Sequence, residues 1–123
     1  MRLLLDTQIL VWMVTGDRRM QPAVLQAIVD PEASLHVSAV VAYEYADLQV
    51  RRRLPVTETL DELAGRFELT FEALPAECWR IAIGLPLVHR DPVDRMLIAH
   101  ALAGDWTLAT ADANIRRYPV SCI

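Results

Sequence analysis

Arg2-Leu3-Leu4-Leu5-Asp6-Thr7 is the stretch from which the rest of the chain is read. Three consecutive leucines suit a strand buried on both faces, as in a parallel sheet covered by helices. The run stops on a carboxylate, and open α/β sheets bind their ligands at the carboxyl ends of the strands. Asp6 therefore stands where chemistry is expected. The strand starts at the second residue, so no targeting segment is expected ahead of it.

Outward from this strand, helices and strands alternate. Residues 8–14 read as a short helix stopped by Gly16-Asp17, and Pro22 opens a second helix through residue 29. Residues 35–38 form a second strand, and residues 39–53 a long helix ended by Leu54-Pro55. Leu60, Leu63, Ala64 and Phe67 follow helical spacing within residues 57–67. Residues 69–71 are a third strand, and Pro75 opens a helix through residue 83. Asp91-Pro92 starts the most strongly signalled helix, with Asp91 as N-cap, Pro92 at the first position and Asp94 at the third; Gly104 closes it. Residues 107–110 are a fourth strand, residues 112–117 a short helix and residues 120–123 a last edge strand. The order predicts one α/β domain over residues 1–123 with a mainly parallel sheet of four to five strands.

Composition narrows the chemistry. Apolar residues make up 54% of the chain, above the usual ~45–50%, which suits a sheet covered on both faces or an apolar patch used for association. No apolar run approaches the ~20 residues that span a membrane. Cys78 and Cys122 lie in apolar surroundings, too far apart in sequence for a disulfide framework or a zinc site, and read as reduced thiols of a cytoplasmic protein. The formal net charge is −4, and all 12 basic residues are arginine. Without lysine there is no Walker-type phosphate loop, no Schiff base and no lysine general base. The acidic balance argues against a broad basic surface for duplex DNA.

Four carboxylates fall at element boundaries or near them. Asp6 ends the first strand, Glu44 lies in the helix after the second, Asp94 is in the first turn of its helix, and Asp112 follows the fourth strand. In a parallel sheet the strands deliver Asp6, Glu44 and Asp112 to one edge. Asp6 and Asp112 also suit helix caps, Asp94 also suits the positive end of a helix dipole, and Asp91 is better explained as a cap than as a ligand. Clustered carboxylates repel one another, and a hard divalent cation removes that penalty. With oxygen donors and no neighbouring His or Cys pair, Mg²⁺ or Mn²⁺ is the chemical match. Such a site activates water and stabilises displacement at phosphorus. The hydroxyls of Thr7, Ser38 and Thr110 stand beside these acids, where they orient a carboxylate or serve caps and turns.

Leu4-Leu5-Asp6-Thr7, the stretch from Ser38 to Glu44, His89-Arg90-Asp91-Pro92-Val93-Asp94-Arg95-Met96-Leu97-Ile98-Ala99 and Leu108-Ala109-Thr110-Ala111-Asp112 resemble the PIN domain. Within it they look like the VapC-type toxins of type II toxin–antitoxin pairs. The resemblance covers nearly the whole chain, and the His-Arg-Asp-Pro-x-Asp-Arg stretch is its most specific part. It implies a PIN-like three-layer α/β/α fold and a Mg²⁺- or Mn²⁺-dependent ribonuclease. It also implies a homodimer and inhibition by a cognate antitoxin whose tail blocks the pocket. The family's acidic quartet maps onto Asp6, Glu44, Asp94 and Asp112, with Asp91 at an accessory position. One departure is visible: many relatives have His or Asn after the Asp-Thr pair, where this chain has Gln8.

On this reading Asp6 and Asp94 are the main metal ligands, Asp112 completes the shell and Glu44 holds a second ion or a water. Arg95 is either a phosphate contact or a structural partner of a carboxylate. Arg51, Arg52 and Arg53 serve either a helix C-terminus or the RNA backbone, and Arg18-Arg19 and Arg116-Arg117 are candidates for the groove rim. Trp12, Trp79 and Trp106 read as core or interface. Two readings compete: a phosphatase with Asp6 as nucleophile, disfavoured by the missing lysine, and a catalytically silent PIN-like module that binds RNA or protein.

Overall fold

A computed structural model describes residues 1–123. Strands β1 (Arg2–Leu5), β2 (Ser34–Ser38), β3 (Leu69–Glu72) and β4 (Thr107–Ala109) pair in parallel, in the order β3-β2-β1-β4. The connections carry helices α1 (Thr7–Thr15), α2 (Pro22–Val29), α3 (Ala39–Val50), α4 (Leu60–Phe67), α5 (Cys78–Gly84) and α6 (Pro92–Gly104). Leu3, Leu4 and Leu5 are fully buried. Successive strand side chains point to opposite faces, so the central strand is covered on both sides.

The chain steps from β1 to β2 to β3 in one direction and then returns past β1 to β4. The reversal of strand order therefore falls between β1 and β4, where α/β sheets open a crevice at their carboxyl edge. Asp6 N donates to Ala109 O at 3.2 Å, which ties the ends of these two strands together.

Element boundaries differ from the expected ones for local reasons. Thr59 and Glu62 form a reciprocal capping box, which starts α4 at Leu60. Pro75 opens only a turn, whose carbonyl accepts from Cys78 N, and α5 begins at Cys78. The long helix stops at Val50, because Arg52 takes a left-handed φ of 55° and Arg53 N bonds back to Leu48 O at 2.8 Å. Residues 112–117 shrink to a 3₁₀ turn at Ile115–Arg117. The expected last strand reduces to one parallel bridge between Leu108 and Cys122. Val120 N turns back onto Tyr118 O at 2.8 Å, leaving too little chain for a fifth strand.

Gly104 closes α6 in an unexpected way. The left-handed residue is Asp105, with φ 55°. Gly104 is required instead by packing, because a Cβ there would lie 2.4 Å from the indole Nε1 of Trp106. Trp106 and Trp12 are core residues, whereas Trp79 is exposed. Cys78 is buried and Cys122 partly buried, both as free thiols. No helix is long and apolar enough to cross a membrane.

Candidate active site

Asp6 follows β1 directly and caps α1, its Oδ1 accepting from Ile9 N at 2.9 Å. The next residue, Thr7, donates its hydroxyl to Glu44 Oε1 at 2.5 Å and so joins α1 to α3. Asp94 sits in the first turn of α6, behind the cap Asp91, whose Oδ1 accepts from Val93 N and Asp94 N at 2.9 and 3.1 Å. Asp112 follows β4. Its Oδ1 accepts from Asn114 N at 2.8 Å, and its own N donates to Thr110 Oγ1 at 3.0 Å. Asp6, Glu44, Asp94 and Asp112 all line one cavity of about 470 Å³, with Thr7, Gln8 and Arg53 also in its wall. Four segments of the chain thus converge at the crevice between β1 and β4.

The acids do not share one electrostatic environment. Burial pushes Asp6 up to about 6, against hydrogen bonds from Thr110 and Ile9 N, with Asp112 and Glu44 adding repulsion. Burial likewise pushes Asp94 up to about 7, reinforced by Asp91 and opposed by His89. Burial also acts to raise Asp112, but hydrogen bonds from His89 and Asn114 N outweigh it and hold that carboxyl below its usual range. A cavity walled by four carboxylates, two of them reluctant to ionise, matches a hard divalent cation in charge and donor type.

A histidine that the sequence reading left without a role belongs to this site. His89 Nε2 lies 2.9 Å from Asp94 Oδ2 and 2.9 Å from Asp112 Oδ2. The ligand atoms of His89, Asp94 and Asp112 all fall within 4.8 Å of one another. The expectation of no histidine near the oxygen donors is therefore corrected: one imidazole stands between two of them. Its signal was present: His89 stands two residues before the cap of α6, so the turn into the helix folds it over the first turn, where Asp94 lies.

Several other expectations change. Of the two roles open to the Ser38 hydroxyl the structure shows the cap: it accepts from Val40 N at the start of α3 and pairs with His100 Nδ1 of α6 at 2.8 Å. Thr7 bonds Glu44, and Thr110 bonds the Asp6 carboxyl. Arg95 takes a structural role, though not with a carboxylate. Its guanidinium donates to the carbonyls of Ala82, Leu85, Pro86 and His89. Of the arginine triplet, Arg51 pairs loosely with Asp47 at 3.7 Å, Arg52 lies beside Gln49 and Val56 outside the acidic cavity, and only Arg53 lines it. At the supposed rim, Arg19 pairs with Asp17 at 2.8 Å, and Arg116 bonds the carbonyls of Thr110 and Ile123.

Residues 3–120 match the family model described as PIN domain. Over 120 residues the chain is 31% identical to ribonuclease VapC22 of Mycobacterium tuberculosis (strain ATCC 25618 / H37Rv), a match covering 94% of this chain and 90% of that protein. In fold it resembles VapBC2 from Rickettsia felis, solved bound to a DNA fragment from its promoter. That likeness has a TM-score of 0.65 and 18% identity, over 100% of this chain and 98% of that one. It also resembles a toxin–antitoxin complex from Klebsiella pneumoniae, with a TM-score of 0.63 and 15% identity, over 98% of this chain and 95% of that one.

Proposed function

The chain belongs to the PIN-domain family, and we propose that it is a divalent-metal-dependent ribonuclease acting as the toxin of a toxin–antitoxin pair, with residues 1–123 as one such domain. The observation that carries this reading is the convergence of Asp6, Glu44, Asp94 and Asp112 on one cavity at the sheet's switch point. The likeness to a VapC ribonuclease at 31% identity supports the reaction class.

Asp6, Glu44, Asp94 and Asp112 would hold Mg²⁺ or Mn²⁺, and the ion, when bound, offsets their charge and polarises a phosphodiester oxygen. Asp6 and Asp94 would be the main ligands, Asp112 would complete the set, and Glu44, one of whose oxygens is held by Thr7, would hold a second ion or a water. One carboxylate of the group takes the proton of the attacking water. Arg53, the cation lining the cavity, contacts the phosphate backbone of RNA. Asp91 serves α6 as its cap and would reach the ion only through water, in an accessory role.

The likeness to a toxin–antitoxin complex supports a cognate antitoxin as partner. Trp79 and Ile83, one turn apart on α5, are exposed together with Leu87 beyond it. An apolar ridge of this kind supports a homodimer. A cytoplasmic location goes with an RNA substrate and free thiols.

The experiment is to sequence RNA 5′ ends after brief expression of the wild type and of Asp94→Asn. Discrete new ends are expected with the wild type alone. Identical maps from the two proteins would remove the assignment of Asp94.

A further inference from the structure

We infer that His89 is a positioning residue of the acidic site, holding Asp94 and Asp112 in place by hydrogen bonds from Nε2–H and not ligating the ion itself. This rests on the metal site proposed above.

Every polar atom of His89 is engaged. Its backbone N donates to Tyr118 Oη at 2.8 Å, and its carbonyl accepts from the Arg95 guanidinium at 3.1 Å. Its ring Nδ1 accepts from Asp91 N at 3.1 Å. Its ring Nε2 lies 2.9 Å from one oxygen of Asp94 and 2.9 Å from one oxygen of Asp112.

The bond at Nδ1 fixes the tautomer. A backbone N–H only donates, so Nδ1 is bare and the ring proton sits on Nε2. Nε2–H then donates to the two carboxylates. The same arrangement argues against ligation, because a metal needs a bare nitrogen, and moving the proton to Nδ1 would set it against Asp91 N–H.

The loop carrying this imidazole is itself braced. Arg95 reaches four carbonyls between Ala82 and His89. Tyr118 Oη accepts from His89 N and donates to Pro86 O at 2.6 Å. The bracing joins α5, α6 and the chain after the 3₁₀ turn around one ring. Asp94 comes from α6 and Asp112 from the loop after β4, and no direct bond joins the two. His89 supplies that link through one oxygen of each carboxylate, while the other oxygen of Asp112 accepts from Asn114 N. Groups that orient metal ligands in this way are worth roughly 10–100-fold in metal affinity.

The test is Mn²⁺ calorimetry on the full chain, with thermal unfolding in EDTA to register folding. His89→Ala is expected to weaken Mn²⁺ binding by roughly 10–100-fold, and His89→Gln, whose amide N–H reaches the Nε2 position, to recover much of the loss. Tyr118→Phe frees the His89 backbone while leaving ring and acids intact, and is expected to weaken binding several-fold. It decides the matter if His89→Ala does not fold. Wild-type affinity in both His89→Ala and Tyr118→Phe would overturn the role, as would tighter binding by His89→Ala, which would make the ring a competitor of the ion. Absence of Mn²⁺ binding by the wild type, or unchanged binding by Asp94→Asn, would instead overturn the metal site itself and this role with it.

Discussion

The hydroxyl of Thr7 bonds Glu44 Oε1 across 37 positions of sequence, so the residue after the strand-ending aspartate holds the carboxylate delivered by α3. Asp6 and Glu44 are thereby coupled through one peptide unit. Thr7→Val keeps the shape and removes the bond. Metal-dependent cleavage of total RNA is expected to fall about tenfold, in the range for lost orienting bonds, with the unfolding temperature nearly unchanged. Unaltered cleavage would show that Glu44 needs no such support.

Arg95 is expected to matter for stability rather than for RNA affinity. Its side chain satisfies carbonyls at the end of α5 and in the following loop. Leaving such acceptors unpaired costs roughly 1–3 kcal/mol each when buried. Arg95→Met should lower stability in urea unfolding by about 2–4 kcal/mol, within that range for one or two orphaned acceptors. Arg95→Lys should not restore it, because a single ammonium cannot reproduce the guanidinium fork. A variant of native stability with weakened RNA binding would reverse this assignment.

Gly104→Ala tests the close approach of Trp106. The added methyl meets the indole at 2.4 Å, and overpacking of this kind costs about 1–3 kcal/mol. Thermal unfolding should register the loss although alanine is the better helix former. A neutral or stabilising effect would show that the indole moves freely.

Stability of the metal-free protein should fall with rising pH through the site. Asp94 is pushed from 3.8 to about 7 in the folded chain, chiefly by burial. Between those values the folded state binds the extra proton, so the contribution is fully present below 3.8 and lost as pH rises through 7. Asp6 acts in the same sense up to about 6. In EDTA, the unfolding temperature of wild type relative to Asp94→Asn should therefore drop by several degrees between pH 4.5 and 8, about what one kcal/mol shifts in a domain of this size. A difference that stays flat with pH would contradict the environment assigned to Asp94.

The fold was legible because its signals were local. The leucine run of β1, the Asp91-Pro92 start of α6 and the alternation of elements each follow from short stretches. Three of the acids, Asp6, Glu44 and Asp112, were legible as neighbours because parallel strands deliver their carboxyl ends to one edge, whereas Asp94, in a helix that follows another helix, joined them only through the PIN-domain resemblance. What escaped the sequence depends on side chains folding back from other segments. A structural role for Arg95 is legible, but its partners are four carbonyls of the 82–89 stretch and not a carboxylate, and the cap role of Ser38 is legible without its second partner, His100 of α6. The place of His89 two residues before the cap of α6 carries it toward Asp94, but Asp112, its other partner, comes from the far side of β4 and no local spacing announces it. Gly104 was read as a backbone signal, whereas Trp106, two residues on, supplies the reason.

The most direct test of the account is Mn²⁺ calorimetry on wild type, Asp6→Asn and Glu44→Gln. Asparagine at position 6 keeps an oxygen for Ile9 N, so α1 remains capped, and both variants remove charge without removing volume. The account predicts a saturable Mn²⁺ site in the wild type and at least tenfold weaker binding in each variant. Equal Mn²⁺ affinity in all three proteins would contradict a shared acidic metal site.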